Sequence, residues 1–225
     1  MLIVVEGLDG AGKSTQVSSL RKYLEERAGG VEYIHFPRYG APVYGDLIAG
    51  FLRGEFGGID SVHPKLVAFL YAEDRRDAAP GMRAALEKGE CILLDRYVYS
   101  NIAFQCAKVA DSGAKADLKK WILDTEYGNF SLPVPDLNLF LDVPIDFVER
   151  NLSSHRTGAD RNYLEGSGDI HEADISFQEK VRREYLAMCA EDPRFVRIDC
   201  SSADGTMLTP EAISAAVRKE VDKIL

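Results

Sequence analysis

The sequence is poor in the features that mark metal centres, disulfide scaffolds and membrane anchors. Its four cysteines include no C-x-x-C pair, so neither a zinc site nor a disulfide framework is predicted. No apolar run approaches the length of a bilayer span, and the chain starts with an apolar stretch rather than the basic segment of a secretory signal. We therefore expect a cytoplasmic protein with reduced thiols at Cys91, Cys106, Cys189 and Cys200.

Positive charge is also scarce. Lys and Arg number 27 against 36 Asp and Glu, which gives a formal net charge of −9. Proteins that coat nucleic acid present a basic surface, so neither nucleic acid nor a membrane is an expected partner. Charged residues make up 28% and hydrophobic residues 46% of the 225 positions, which favours one globular α/β domain covering residues 1–225.

Side-chain nucleophiles and metal-binding histidines are not indicated either. The sequence contains no Ser-His-Asp or Cys-His arrangement, and its histidines do not have the spacing of metal ligands. We expect all four histidines to be non-catalytic, namely His35, His63, His155 and His171. The chemistry then depends on groups other than a covalent nucleophile.

What the sequence does contain is a glycine-rich loop near its start. Residues 7–15 read GLDGAGKST and fit the pattern G-x-x-x-x-G-K-[ST], between an apolar run and an amphipathic stretch. Glycines let successive N–H groups point inward, and the following helix adds the positive end of its dipole. Lys13 is expected to reach the β- and γ-phosphates of ATP, and the Ser14 hydroxyl to ligate Mg²⁺. The predicted ATP-binding residues are Gly7, Gly10, Ala11, Gly12, Lys13, Ser14 and Thr15.

Apolar runs and amphipathic stretches alternate along the chain. Strands are predicted at 2–5, 31–36, 91–94, 136–143 and 195–198. Helices are predicted at 14–27, 44–53, 64–77, 80–88, 97–111, 115–127, 146–153, 175–188 and 209–225. The polar stretch 155–171 is predicted to be a mobile loop. This alternation indicates an α/β fold with a parallel sheet flanked by helices on both faces.

Three groups of residues follow predicted strands: the loop at Gly7, the segment 36–38 and the pair Asp95–Arg96. Ligands of parallel sheets bind beyond the carboxyl ends of the strands, so these groups are expected to meet. Asp95 could hold Mg²⁺ or cap the next helix, and Arg96 could bind phosphate or form a surface ion pair. Asp9, inside the loop, could serve the metal, a substrate hydroxyl or the loop's own amides.

Tyr71 and Arg75 lie one helical turn apart, with Arg76 beside them. Such a pair can stack on a nucleobase and hydrogen-bond to it. Spacing alone instead favours a core tyrosine followed by two solvated arginines.

Five segments match one protein family in order. They read EGLDGAGKSTQ, FPRYG, FLYAEDR, LLDRYVYSNIAFQ and, after the polar loop, FQEKVRREY. Together they resemble the thymidylate kinase family over nearly the whole chain. The resemblance implies a P-loop NTPase fold with a five-stranded parallel sheet and a lid at about 154–172. It also implies phosphorylation of dTMP to dTDP with ATP and Mg²⁺, and a homodimer.

The same resemblance implies roles for individual side chains. Asp9 matches an acid near the acceptor sugar and the metal, and Arg96 matches an arginine that bridges the donor and acceptor phosphates. Tyr71 corresponds to an aromatic residue that stacks on thymine, and Arg75 to an arginine that contacts a base carbonyl. The other residues that the resemblance implies along the acceptor site are Phe36, Arg38, Asn101, Phe104 and Gln105.

Three other functions remain open. A kinase of another nucleotide or nucleoside could share the fold, because thymine specificity depends only on Tyr71, Arg75 and Asn101. A nucleotide switch of the GTPase type needs an N-K-x-D motif, which the sequence does not contain. A catalytically inactive regulatory homologue is disfavoured by the intact phosphate loop and the Asp95–Arg96 pair.

One departure from the family bears on mechanism. Some members have a catalytic arginine within the phosphate loop, whereas residues 9–12 contain none. This resembles the branch in which the lid supplies the cation, which indicates Arg156 or Arg161 as a catalytic residue. Arg156 is favoured because it directly follows the helix that anchors the lid.

Replacing the catalytic lid arginine, Arg156 or Arg161, with Ala is expected to lower kcat and kcat/KM together and to leave dTMP affinity nearly unchanged. Arginine fingers in related chemistry contribute roughly 10³–10⁵ in rate, so we expect a loss of about a hundredfold or more, with poor rescue by Lys. Steady-state kinetics of both single variants and the double variant measure this. A double variant that keeps more than about a tenth of the wild-type kcat would show that Arg96 acts alone.

Overall fold

The computed structural model describes residues 1–28, 30–154 and 159–225, with all side chains except those of Ala28 and of residues 159–161. Five strands in these ranges form one parallel sheet, as predicted, and their order is β2-β3-β1-β4-β5. The strands are β1 (Leu2–Gly7), β2 (Val31–His35), β3 (Cys91–Asp95), β4 (Leu137–Asp142) and β5 (Phe195–Asp199).

Helices pack on both faces of the sheet. They are α1 (Lys13–Ala28), α2 (Tyr44–Leu52), α3 (Pro64–Glu87), α4 (Val98–Cys106), α5 (Ser112–Leu123), α6 (Ile145–Ser153), α7 (Ile175–Glu191) and α8 (Pro210–Val221). A π-helical turn, Asp124–Asn129, continues α5, and a 3-10 helix, Ala159–Leu164, follows α6. Within the described ranges, no helix has both the length and the apolar character that crossing a bilayer requires.

The central position of β1, β3 and β4 in the sheet explains why their sequences are so apolar. Every residue of β1, β3 and β4 is buried, because helices cover both faces of the sheet there. The chain continuing from β3 is tied to its neighbours, with Arg96 N donating to the Val5 carbonyl at 2.9 Å and Phe36 N to the Asp95 carbonyl at 3.0 Å. The carboxyl ends of β1, β2 and β3 are therefore held side by side, as the sequence predicts.

Helix α3 differs from the prediction. The sequence predicts two helices, 64–77 and 80–88, separated near Pro80, whereas the structure has one helix from Pro64 to Glu87. Pro80 is exposed, so the carbonyl that loses its intrahelical partner four residues earlier faces water. The helix starts with Pro64 at its first position and with the His63 side chain accepting from Lys65 N.

Three other helix boundaries also differ. The predicted helix 97–111 ends at Cys106, because Asp111 caps the following helix by accepting from Ala114 N at 2.8 Å. The predicted helix 115–127 accordingly starts at Ser112, and the last helix ends at Val221 rather than 225. Of the predicted loop 155–171, residues 155–158 lie outside the described ranges, and residues 159–164 form the 3-10 helix.

A second, smaller apolar cluster positions the segment after this 3-10 helix. Ile48, Phe51 and Leu52 of α2 pack on Val67 of α3, and Tyr163 and Ile170 pack against them. Hydrogen bonds to two backbone carbonyls add to this packing, since Ile170 N donates to the Leu52 carbonyl at 3.0 Å and the Arg53 side chain donates from Nη1 to the Tyr163 carbonyl at 2.6 Å. Residues 163–171 are thereby fixed to the carboxyl end of α2.

Candidate active site

The glycine-rich loop connects β1 to α1 and adopts the conformation that its glycines permit. Gly10 and Gly12 both have φ of +74°, in the left-handed region that favours glycine. The loop lines a cavity together with Lys13, Ser14 and residues that follow β3, which we call the loop cavity. Gly7 lies beneath it, and Thr15 faces a different groove, between α1 and α8. Of the predicted ATP-binding residues, 10–14 are thus brought together.

The Lys13 side chain lies across the floor of the loop. Its ammonium donates to the Leu8 carbonyl at 3.1 Å. Burial and the nearby Arg96 charge lower the pKa of Lys13 to about 8, although Asp95 and Asp9 oppose that shift. The residue is therefore still cationic at neutral pH and has few polar partners to give up when an anion arrives.

Asp95 and Ser14 both line the loop cavity. Asp95 Oδ1 is buried and accepts no hydrogen bond from the part of the chain that the structure describes. It does not cap α4, whose N-cap is Tyr97. The same described ranges contain no cluster of three or more His, Cys, Asp or Glu that could hold a metal by itself. A cation at Asp95 would therefore need ligand phosphates and water as well, which is the usual pattern for Mg²⁺.

Arg96 is the most constrained charged side chain of the site. It donates from Nη1 to the Gly7 carbonyl at 2.8 Å and to Ser100 Oγ at 3.1 Å, and from Nη2 to Asp9 Oδ1 at 2.6 Å. The guanidinium carbon lies 5.1 Å from the centre of the Phe104 ring. Burial alone would lower the pKa of Arg96, but the Asp9 charge outweighs it and the pKa is raised. The side chain is 11% exposed, which makes this an interior ion pair rather than a surface one.

Asp9 accepts from a helix as well as from Arg96. Gln178 of α7 donates to Asp9 Oδ2 at 3.1 Å and accepts from Asp9 N at 3.2 Å. Burial raises the pKa of Asp9, but the Arg96 and Lys13 charges more than offset it and hold the pKa below its usual value. The carboxylate is therefore ionised and turned toward these partners rather than toward the loop amides. Gln178 lies in the FQEKVRREY segment that contributes to the family resemblance, but nothing in the sequence indicates its contact with Asp9.

A second cavity adjoins the first, and we call it the aromatic cavity. Asp9, Pro37, Tyr39, Arg96 and Tyr163 line both cavities. The predicted substrate residues that line the aromatic cavity are Asp9, Phe36, Tyr71, Arg75, Arg96, Asn101, Phe104 and Gln105.

Arg75 is buried, which rules out the solvated arginine that spacing alone favours. It is 2% exposed and donates to both Glu126 oxygens, from Nε at 2.5 Å and from Nη2 at 2.8 Å. Asn101 Nδ2 donates to the same Glu126 and to the Ala68 carbonyl, each at 2.9 Å. Arg76, the next residue, is exposed and pairs with Glu73. The sequence does not indicate Glu126, because it lies in an irregular π-helical turn.

Two amide oxygens beside this pair are free to bind a ligand. Asn101 Oδ1 and Gln105 Oε1 are buried and accept no hydrogen bond within the described ranges. A buried polar atom without a partner is costly, so each is a candidate acceptor for a ligand N–H or O–H group.

Arg38 is the predicted substrate residue that the structure does not bring into either cavity. Its guanidinium donates to Asp74 Oδ1 at 2.8 Å and to Asp77 Oδ2 at 2.7 Å, on the neighbouring α3. Asp74 is fully buried and needs a counter-charge, which explains why Arg38 turns to the helix. Its pKa is raised, because the bonds to these carboxylates outweigh the effect of burial.

The end of the 3-10 helix and the segment after it form one wall of the aromatic cavity. The Tyr163 ring stacks on Tyr39 at 3.8 Å, and its hydroxyl donates to Asp169 Oδ2 at 2.8 Å. Burial and the Asp9 charge raise the pKa of Asp169 to about 7. His171 lies against Phe104, with ring centres 5.2 Å apart, and burial lowers its pKa well below the usual value. Sequence reasoning missed Tyr163 and Asp169 and treated His171 only as non-catalytic.

The two predicted lid arginines are not placed. Arg156 lies outside the described residues. The backbone of Arg161 lies in the 3-10 helix, but its side chain is outside the description.

Known proteins resemble the chain over almost its full length. The family model for thymidylate kinase matches residues 5–206. A thymidylate kinase of Leifsonia xyli subsp. xyli is 34% identical over 99% of this chain and 94% of its own length, and one of Mycobacterium tuberculosis (strain H37Rv) is 32% identical over 85% and 86%. A solved thymidylate kinase of Candida albicans superposes with a TM-score of 0.71 at 26% identity, covering 99% of this chain and 91% of that one. The chain belongs to the thymidylate kinase family.

Proposed function

We propose that the chain transfers the terminal phosphoryl group of ATP to dTMP, giving ADP and dTDP. The observation that supports this best is the junction of the loop cavity and the aromatic cavity at Asp9 and Arg96. A donor in one cavity and an acceptor in the other would meet over one guanidinium. Phosphoryl transfer asks for this alignment of donor and acceptor rather than for a protein nucleophile.

The phosphates of ATP are assigned to the loop cavity. Backbone N–H groups of residues 10–14 and the amino end of α1 supply donors and positive potential there. The Lys13 ammonium can exchange the Leu8 carbonyl for a phosphate oxygen. A phosphate beside it would raise its pKa above the value of about 8 in the free protein and keep it charged.

The thymine base is assigned to the far end of the aromatic cavity. Phe36 and Tyr71 supply ring faces, and Arg75 supplies a donor, because Glu126 engages Nε and Nη2 and no described residue engages Nη1. Thymine offers carbonyl acceptors and one ring N–H, and the orphaned Asn101 Oδ1 suits that N–H. Phe104 and Gln105 are assigned to the base and sugar.

The acceptor phosphate is assigned to the Asp9–Arg96 junction. Arg96 has five N–H groups, of which Gly7, Ser100 and Asp9 engage three. No described residue accepts from Nε, so this edge of the guanidinium can bind phosphate. An attacking acceptor oxygen would be held there by Arg96, while Lys13 and a lid arginine, Arg156 or Arg161, offset charge on the transferred group.

We infer that Mg²⁺ binds at Ser14 and Asp95, with phosphate oxygens completing its shell. The orphaned, buried Asp95 Oδ1 and the hydroxyl lining the same cavity fit a hard cation. When bound, Mg²⁺ supplies positive charge that offsets the phosphates. Loss of activity in EDTA and its return with Mg²⁺ would support this assignment, and activity in EDTA would refute it.

We also infer one domain over residues 1–225 with a lid at about 154–172. Residues 163–171 are held against α2 beside the aromatic cavity, which supports a segment that covers a bound acceptor. Such a closure excludes water from the transferred group. Limited proteolysis tests the inference, since dTMP should protect this segment from cleavage.

A homodimer is proposed from one exposed apolar face of α3. Leu66 and Phe69 on that face are 65% and 43% exposed, and Phe130 packs beside Phe69 with ring centres 6.3 Å apart. Large exposed side chains next to one another are typical of interaction surfaces. Sedimentation should give a dimer that Phe69→Glu converts to monomer, and a monomeric wild-type protein would contradict the proposal.

A cytoplasmic location is proposed from the thiols. Cys91, Cys106 and Cys200 are buried and Cys189 is partly buried, all free, which suits a reducing compartment. Burial raises the pKa of the Cys106 thiol to about 12, so it is unreactive. Recovery of the protein outside the cytosolic fraction of its cell would contradict this.

Lys13→Ala is expected to abolish turnover and leave the fold intact, because the ammonium contributes charge to phosphates rather than packing. ADP release is measured with dTMP, dUMP, dCMP and dGMP as acceptors, alongside thermal melting. We expect wild-type turnover to be fastest with dTMP and to require an acceptor. Near-normal activity of Lys13→Ala, or faster turnover of another nucleotide, would remove the proposed function.

Arg75→Ala is expected to weaken dTMP binding about tenfold or more and to change ATP affinity less than about twofold, since hydrogen bonds to charged groups contribute roughly 1.5–3 kcal/mol. Titration calorimetry measures both affinities. Arg76→Ala is the matched control, because the adjacent arginine is exposed, pairs with Glu73 and lines neither cavity, so its loss should change neither affinity.

Arg75→Ala leaves the buried Glu126 without its charged partner, which destabilises the variant. Arg75→Ala combined with Glu126→Gln removes the stranded charge and keeps the comparison possible. Equal losses of dTMP and ATP affinity in the double variant would count against the assignment of Arg75 to the base.

A further inference from the structure

A buried carboxylate on β1 lies directly behind Arg96. Glu6 is fully buried, and four donors surround it. Its Oε1 accepts from Tyr97 N at 2.9 Å and from Ser100 N at 3.2 Å. Its Oε2 accepts from Ser100 Oγ at 2.5 Å and from the Tyr185 hydroxyl at 3.0 Å. An ionised carboxylate accepts only, so this shell is complementary to the charged form.

Ser100 links Glu6 to Arg96. A serine hydroxyl has one proton and two lone pairs. Because Glu6 takes the proton, a lone pair is left for Arg96 Nη1 at 3.1 Å. The Tyr185 hydroxyl lies 2.8 Å from the same serine oxygen, but its one proton is donated to Glu6. The negative charge on Glu6 thus orients the Ser100 hydroxyl, which donates to Glu6 and accepts from Arg96.

We propose that Glu6 is a positioning residue that orients Arg96 for phosphate through Ser100, with Tyr185 donating to the same carboxylate oxygen as Ser100. The inference rests on the proposed role of Arg96 in phosphoryl transfer. With both Nη1 protons engaged by Gly7 and Ser100 and one Nη2 proton by Asp9, the guanidinium cannot rotate, and its Nε edge remains available.

The energetics also favour a role beyond packing. Burial raises the pKa of Glu6, and the bond from Ser100 and the Arg96 charge offset only part of that rise. A charge kept in the interior costs solvation energy that an apolar side chain of similar size avoids. The four donors offset that cost and at the same time fix the serine that contacts Arg96.

Glu6→Gln tests the proposal while preserving shape. The amide NH₂ would donate to Ser100 Oγ, and the serine proton would then compete with the Arg96 N–H groups. We expect kcat to fall about ten- to a hundredfold, as for a lost charge-assisted contact, with KM for dTMP and ATP changed less than about threefold. Tyr185→Phe should lower kcat about three- to tenfold by the same route.

Tyr99→Phe is the matched control. Tyr99 stacks on Phe195 at 4.6 Å as Tyr185 stacks on Phe140 at 4.7 Å, and it also donates to a carboxylate, Asp192. Within the described residues, its hydroxyl bonds to Asp192 and not to Glu6, nor to Ser100, which contacts Arg96, so kcat should not change. A similar kcat loss in both tyrosine variants would mean that packing alone is measured and would overturn the proposal.

A double-mutant cycle with Arg96→Ala separates positioning from structure. If Glu6 acts through Arg96, adding Glu6→Gln to Arg96→Ala should lower single-turnover rates less than about twofold further. Multiplying losses would overturn the proposal. If Glu6→Gln does not fold, the cycle is run with Tyr185→Phe in its place. A wild-type kcat in the Tyr185→Phe variant would then overturn the proposal. Near-normal activity of Arg96→Ala alone would instead refute the proposed function of Arg96, which is a distinguishable result.

Discussion

The candidate site depends on one interior ion pair, Asp9 with Arg96. The two residues follow adjacent strands, β1 and β3, and they line both cavities. Gln178 joins them from α7, so the pair connects the sheet to a helix that begins just after the predicted lid. Breaking such a pair costs roughly 3–5 kcal/mol because the remaining charge is stranded. The pair therefore fixes where donor and acceptor can meet, whatever its net effect on stability.

The charges around this pair are nearly balanced before any substrate binds. Lys13 and Arg96 face three carboxylates, those of Glu6, Asp9 and Asp95, all of which act on Lys13 or Arg96. Two nucleotides would add several negative charges to a site that already has a slight negative excess. Extra cations must then enter with the substrates or from the chain. This balance gives a physical reason for both Mg²⁺ and an arginine from outside the phosphate loop.

The elements that the sequence predicts are those that depend on local patterns. Apolar runs give the strands, the glycine loop gives the phosphate site, and parallel order brings Gly7, Asp95 and Phe36 to one edge. Partners distant in sequence could not be predicted, since Glu126 is 51 residues from Arg75 and Gln178 is 169 from Asp9. No motif marks Glu126, and the segment that contains Gln178 does not indicate a contact with Asp9. Only the packing of helices brings the two residues to their partners.

Two further differences between expectation and structure have the same origin in local reasoning. A proline was expected to end α3, but Pro80 faces solvent, where a missing hydrogen bond costs less. Arg38 was expected in the acceptor site on resemblance, but the buried Asp74 of α3 engages it. In each case the decisive quantity is burial, of a carbonyl or of a carboxylate, and a single sequence reports burial poorly.

In the proposed reaction, one wall of the aromatic cavity connects binding of the acceptor with the position of the lid. Tyr163, stacked on Tyr39, lies in the same 3-10 helix as the backbone of Arg161. Arg53, which directly follows α2, hydrogen-bonds to that 3-10 helix. Leu52 of α2 hydrogen-bonds to the residues after the helix, so these contacts are made to α2 and not to the phosphate loop. In the proposed reaction, contacts made when dTMP fills the cavity therefore also set the position of the lid backbone. In that proposal the lid cation meets ATP once an acceptor is present, and closure limits transfer to water.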